Sequence, residues 1–192
     1  MSLSAIAFVL SGCSSAAVPS SSERAAGVLA SAEAATVVAT GKGPVLCLGV
    51  VGESFIPACD GPPVSGWNWE AVDQHEVSGG TRWGFYDVVG SWDGSHFTLT
   101  ERPVPATPAT DDANQPDEGD VAGHAPEVVA TAVADYTAEL DERGGVLSVI
   151  ELDGRAHVLV VFDDGTMQAD ADARYGDDVV IIESRLDRID QA

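Results

Sequence analysis

W-G-F-Y-D-V-V-G-S-W-D-G-S-H-F-T-L-T, residues 83–100, decides the reading of this chain. Asp93-Gly94 supplies backbone that tolerates a tight turn, and the aromatic and β-branched residues on either side favour a pleated chain. Residues 83–92 and 95–100 are therefore expected to form a hairpin. Phe97 and Leu99 alternate with His96, Thr98 and Thr100, the period of a strand with one face buried. Upstream, Thr36-Val37-Val38-Ala39 and Val45-Leu46-Cys47-Leu48 are short apolar runs punctuated by Gly41, Gly43 and Pro44. Asp60-Gly61-Pro62-Pro63 is a further breaker cluster. Trp67, Trp69, Trp83 and Trp92, all four tryptophans of the chain, fall in this region. Residues 36–101 thus read as a small β module, barrel or sandwich-like, whose bulky side chains compensate for its size.

Downstream, residues 102–126 hold five of the ten prolines, five acids and almost no large apolar side chain. Proline stiffens and like charges extend such a segment, which reads as a Pro/Asp-rich linker. Beyond it, Pro126 suits a first helical turn, and Val129, Val133, Tyr136 and Leu140 recur at the spacing of one helix face. Gly144-Gly145 ends that helix. The apolar runs 146–152 and 156–162 flank Asp153-Gly154, a second hairpin signal. Asp163-Asp164-Gly165 then turns the chain into a short helix with Met167, Ala171 and Tyr175 on one side, and residues 179–182 form a last strand. The fold class expected is α+β: the β module followed by an α-β-β-α-β module at 127–192, with helices on one face of a three-stranded sheet.

At the other end, residues 5–10 (A-I-A-F-V-L) precede Leu10-Ser11-Gly12-Cys13, which resembles the lipobox of bacterial lipoproteins. That resemblance implies a diacylglyceryl group on the Cys13 thiol and cleavage just before it. Residues 1–12 would be a signal-peptide remnant and residues 13–35 a lipidated tether, since the Ser- and Ala-rich stretch after Cys13 cannot bury enough surface to fold. Met1-Ser2-Leu3-Ser4 lacks the charged start of a secretory signal, which points to a start upstream of Met1 or to a trimmed chain. The three cysteines divide into the isolated Cys13 and the pair Cys47 and Cys59, 12 apart. In an exported protein such a pair is expected as a disulfide. Two reduced, buried thiols are the other reading, and a zinc site lacks histidines at ligand spacing.

The series Cys47, Glu53-Ser54, Pro57, Cys59, Gly66-Trp67-Asn68-Trp69, Trp83-Gly84, Tyr86, Gly90, Asp93-Gly94 and Phe97-Thr98 resembles an uncharacterised family of actinobacterial exported proteins and lipoproteins. Arg174-Tyr175-Gly176 is a shorter and weaker match to the same group. The resemblance implies the disulfide and the compartment, and no catalytic residue comes with it.

Nine basic residues against 31 acidic ones leave a formal charge of −22, and Lys42 is the only lysine. A polyanion repels nucleic acid and anionic headgroups, so neither is an expected partner. Gly52-Glu53-Ser54-Phe55-Ile56 begins like a nucleophile elbow but lacks its second glycine, and Ser54 reads as a loop residue. His75, His96, His124 and His157 are scattered, with no metal-ligand spacing. The acid clusters at 111–112, 117–120, 163–164, 170–172 and 177–178 fail the calcium-loop template. Counted from Asp170 the sixth residue is Tyr175 and the twelfth Ile181; from Asp112 they are Asp117 and Gly123. They read as solvated charge. Trp67 and Trp69, two apart, would face the same way in an extended segment, as core packing or as an exposed platform for sugar or peptide. No catalytic, metal or cofactor site is expected. The chain reads as a lipoprotein on the outer face of the cytoplasmic membrane, anchored through Cys13, with a non-enzymatic role in binding an envelope protein or cell-wall ligand. The alternative is a small exported hydrolase or metal-dependent enzyme with a site between the two modules.

Overall fold

The computed structural model describes residues 27–49, 57, 59, 61–107, 123–140 and 145–189. The fold is mixed α+β, mostly sheet with two helices, and carries one disulfide, Cys47–Cys59. Nine strands come first: β1 (Leu29–Ser31), β2 (Ala35–Thr40), β3 (Gly43–Cys47), β4 (Val64–Ser65), β5 (Glu76–Ser78), β6 (Thr81–Asp87), β7 (Val89–Trp92), β8 (Phe97–Leu99) and β9 (Val104–Pro105). They are followed by α1 (Pro126–Glu139), β10 (Val146–Leu152), β11 (Arg155–Val160), α2 (Thr166–Tyr175), β12 (Val180–Ser184) and β13 (Leu186–Arg188).

One sheet runs β3-β2-β6-β5, with β9 on the other half of β6, and a second runs β13-β1-β7-β8-β4. The chain passes from one sheet to the other at Val88, so residues 83–92 are two strands and not the single hairpin arm expected. Ser31 imposes the break. Its Oγ accepts the Val88 N–H at 3.1 Å while its own N–H donates to the Val88 carbonyl at 3.0 Å. Both hydrogen-bonding groups of Val88 are thereby satisfied as its side chain is fully buried. The turn at Asp93-Gly94 is also wider than two residues. β7 and β8 close at Trp92↔Phe97, and Asp93 Oδ1 accepts the backbone N–H groups of Ser95 and His96 at 2.8 and 2.7 Å. These N–H donors, His96 foremost and then Ser95, hold the Asp93 carboxyl below its ordinary range. His96 therefore lies in the loop, not in the strand. Phe97 is fully buried and Thr98 exposed, as the alternation requires.

Side chains of both sheets meet in one core that includes Leu29, Val37, Leu46, Val64, Tyr86, Val88 and Phe97. A second core lies between α1, α2 and the three-stranded sheet β10-β11-β12. β10 and β11 turn through Asp153 (φ 52°) and Gly154 (φ 71°), two left-handed residues as a tight hairpin demands. β12 pairs parallel to β11, which obliges the chain to cross over between them, and α2 is that crossover. Alternate residues Ala156, Val158 and Val160 of β11 meet Val129, Ala132 and Tyr136 of α1. Leu140, expected on that face, is 38% exposed, because α1 ends at Glu139 and Ala132 takes the contact instead.

Besides β4 and β5, which fall inside the expected β module, three further strands lie outside the expected elements. β1 lies in the region read as tether, and β9 lies in the region read as linker. β13 follows β12 without a helix between, leaves the three-stranded sheet and pairs antiparallel with β1, Leu29↔Arg188 to Ser31↔Leu186. Leu186 and Val161 are consequently part of the first core.

Candidate functional site

Alternation along β6 gives its two faces different surroundings. Trp83 packs with Val38, Cys47 and Cys59, so the disulfide and one tryptophan close one side of the sheet. The Cα atoms of Cys47 and Cys59 are 5.7 Å apart, an ordinary spacing for a disulfide. Arg82, Gly84 and Tyr86 take the other face. The Tyr86 ring lies across Gly84: a Cβ built there would meet Tyr86 Cε2 and Oη at 2.7 Å. Only the absence of a side chain at residue 84 allows the ring to lie so low.

On that ring the loop between β4 and β5 assembles an aromatic corner. Trp67 meets Tyr86 edge-on, centroids 4.9 Å apart with an interplanar angle of 76°. Trp69 meets Trp67 at 5.2 Å and 65°, and His75 meets Trp69 at 5.5 Å and 65°. These edge-to-face arrangements place positive ring edges on negative ring faces. Trp67 and Trp69 lie in a loop and not in a strand. Each is partly buried against the first core and partly exposed, so each indole both packs and presents a surface.

Backbone features fix the loop. Gly66 (φ 82°) turns the chain out of β4, and Asn68 Oδ1 accepts the Glu70 N–H at 3.0 Å. Gln74, beside His75, holds a left-handed φ of 58°, a conformation that costs a non-glycine residue about 1 kcal/mol and needs its neighbours to enforce it. Tyr86 Oη donates to the Asp73 carbonyl at 3.1 Å, tying the loop to β6. Burial pushes the Tyr86 phenol up, and the Asp73 carboxylate adds to that. Around the rim, Arg82 Nη1 meets Glu70 Oε1 at 2.9 Å and Arg102 Nη2 lies 3.7 Å from Asp73 Oδ2. Two polar atoms within the corner, Trp67 Nε1 and His75 Nδ1, are buried without a hydrogen-bond partner among the described residues.

No family model, curated protein or solved structure matches this chain. The remaining residues singled out in the sequence are placed as follows. Cys13 and Ser54 lie outside the described residues, as do the acids at 111–112 and 117–120. The four histidines are not brought together. His157 sits on β11 with Nδ1 3.2 Å from Glu183 Oε1, His96 is in the β7–β8 loop, and His124 precedes α1. Among the described residues, no three His, Cys, Asp or Glu side chains form a group suited to a metal ion. Asp163 and Asp164 serve the start of α2. Asp163 Oδ1 accepts the Met167 N–H at 2.9 Å, and Asp164 Oδ1 accepts the Thr166 hydroxyl at 2.7 Å. These carboxylates also line an open cleft of about 180 Å³ with Phe162, Leu186, Asp187 and Arg188. The partners that matter most at the corner, Gly84, Tyr86 and His75, carry no local signal. They meet Trp67 and Trp69 only through pairing of β6 and the path of the β4–β5 loop.

Proposed function

We propose that this chain is an extracytoplasmic lipoprotein, anchored through Cys13 to the outer face of the cytoplasmic membrane, which binds an envelope ligand or protein without transforming it. The aromatic corner is the ligand-contacting surface, and it is the observation that carries the binding role. Two partly exposed indoles held in a fixed relative orientation bring large contact area at little entropic cost. The compartment rests on the resemblance of Leu10-Ser11-Gly12-Cys13 to a lipobox and on the resemblance of residues 47–98 to actinobacterial exported proteins. The Cys47–Cys59 disulfide is consistent with an oxidising compartment. In the same reading, the barrel or sandwich-like module at 36–101 and the α-β-β-α-β module at 127–192 are joined by the Pro/Asp-rich linker at 102–126, and the Ser- and Ala-rich stretch after Cys13 keeps the corner clear of the membrane.

The test is metabolic labelling with palmitate in cells expressing the gene with its natural upstream region, wild type against Cys13→Ala. Label in the membrane fraction that vanishes with the substitution supports the anchor. Unlabelled soluble protein with free thiols at Cys47 and Cys59 overturns anchor and compartment together. Photo-crosslinking in the native host from a probe at residue 71, exposed in the same loop and outside the ring cluster, then identifies what the corner meets.

A further inference from the structure

Resting on that binding role, we infer that the aromatic corner takes a neutral glycan chain. Trp69 and Trp67 form the stacking surface, and Trp67 Nε1 and His75 Nδ1 are the buried hydrogen-bonding atoms that a sugar hydroxyl satisfies. Three observations converge on this class of ligand.

The first is electrostatic. The whole chain carries −22, yet among the described residues the corner acids Glu70 and Asp73 each meet an arginine, Arg82 and Arg102. Glu76, the next acid along, pairs in register with Trp83 and so belongs to the opposite face of β6 from Tyr86. Carboxylates each faced by a guanidinium give such a surface little reason to select cations or anions. Each carboxylate–guanidinium pair sets acceptors beside donors, the arrangement that suits the neighbouring hydroxyls of a sugar.

The second is the pair of orphaned atoms. An indole N–H only donates, whereas a neutral imidazole nitrogen donates or accepts according to its tautomer. A hydroxyl answers both without bringing charge into the corner. A buried polar atom left unpaired carries a desolvation penalty, and a ligand that reaches it regains that penalty. One of the two atoms belongs to an indole ring, so a ligand that reaches it changes the indole environment directly.

The third is the geometry of the rings. Two indoles inclined at 65° offer one face to the apolar C–H side of a pyranose and a second surface to its flank. The left-handed Gln74 spends conformational energy beside His75, where the fold alone gains no hydrogen bond at Nδ1.

The experiment titrates the full, disulfide-bonded protein with cellotetraose and N-acetylchitotetraose, following tryptophan fluorescence and calorimetry. Tetragalacturonate and an N-acetylated alanine tetrapeptide are the comparison ligands. The expected result is saturable binding of a neutral tetrasaccharide with a shift in indole emission. Trp69→Ala is expected to weaken it at least about tenfold and His75→Phe about fivefold, while Trp92→Phe leaves it unchanged. Should Trp69→Ala fail to fold, Trp69→Phe, which keeps a smaller ring, and His75→Phe carry the comparison. Failure of both neutral tetrasaccharides to titrate at about 10 mM, weaker than any useful affinity, overturns the glycan assignment. So does tetragalacturonate binding as tightly as the neutral sugars. Peptide binding that Trp69→Ala abolishes overturns the glycan assignment and leaves the binding role at the corner standing. Absence of any crosslink through a probe at residue 71 in the native host removes the binding role itself.

Discussion

Gly84→Ala tests how the corner is built. The new Cβ would sit 2.7 Å from Tyr86 Cε2 and Oη and 2.9 Å from Cζ, so the ring has to lift. It cannot lift freely. Trp67 covers it at 4.9 Å between centroids, and its hydroxyl is tied to the Asp73 carbonyl. Overpacking of a fully buried site costs about 1–3 kcal/mol. Losing the Tyr86 hydrogen bond adds about 1 kcal/mol. Against this, replacing glycine at an ordinary strand φ restricts the unfolded chain and returns about 0.4–1 kcal/mol. The net expectation is a destabilisation of about 1–3 kcal/mol, which at a urea slope of about 2 kcal/mol/M lowers the midpoint by about 0.5–1.5 M. Near-UV circular dichroism reports the corner itself and should lose the intensity of the coupled Trp67, Trp69 and Tyr86 rings. Gly41→Ala is the control. Nothing lies within 4 Å of its Cβ, and the change in stability there should stay within about 0.5 kcal/mol. A Gly84→Ala protein as stable as the Gly41→Ala protein, with unaltered aromatic dichroism, would refute the packing argument.

Leu186→Ala, near the C-terminus, should lower the unfolding midpoint reported by tryptophan fluorescence, at a cost of about 2–4 kcal/mol. Leu186 is fully buried in the core shared with Leu29 and Phe97, although every tryptophan lies between residues 67 and 92. A fluorescence transition unmoved by that substitution would show that β13 does not hold the first core together. Reduction of Cys47–Cys59 removes a 12-residue constraint on the unfolded chain and should cost about 3 kcal/mol in urea unfolding with and without reductant. Equal midpoints would contradict that. Tyr175 is pushed up to about 12, by burial first and then by its hydrogen bond to Asp135. The unfolded phenol ionises near 10 while the folded one stays neutral, so stability holds up to about pH 10 and falls between pH 10 and 12. Tyr175→Phe should flatten part of that decline, the remainder coming from Tyr86 and Tyr136, which are also raised. An undiminished decline in the Phe variant would place the effect elsewhere.

What the sequence determined by itself was the local geometry. Asp153-Gly154 specifies a tight turn because both residues accept left-handed backbone, and the structure has them there. The spacing of Met167, Ala171 and Tyr175 is a property of the helix period alone, and all three contact the helix-side core. Cys47 and Cys59 are the expected pair for an exported protein once Cys13 is set aside, and the structure joins them. The tertiary structure decided where strands find their partners, because a ladder is specified by hydrophobic burial across the sheet and not by neighbours in sequence. Thus residues 83–92 look continuous, yet Ser31, 57 residues away from Val88, splits them between two sheets. Leu186 is one more apolar residue at the end of the expected α-β-β-α-β module, yet it joins Leu29 in the first core. The candidate site divides in the same way. Trp67 and Trp69 stand out because two large aromatics lie two residues apart. Gly84, Tyr86 and His75 become partners of those rings only when β6 lays its even-numbered face beneath the β4–β5 loop. No local pattern encodes that meeting, because its energy comes from contacts between residues far apart in the chain.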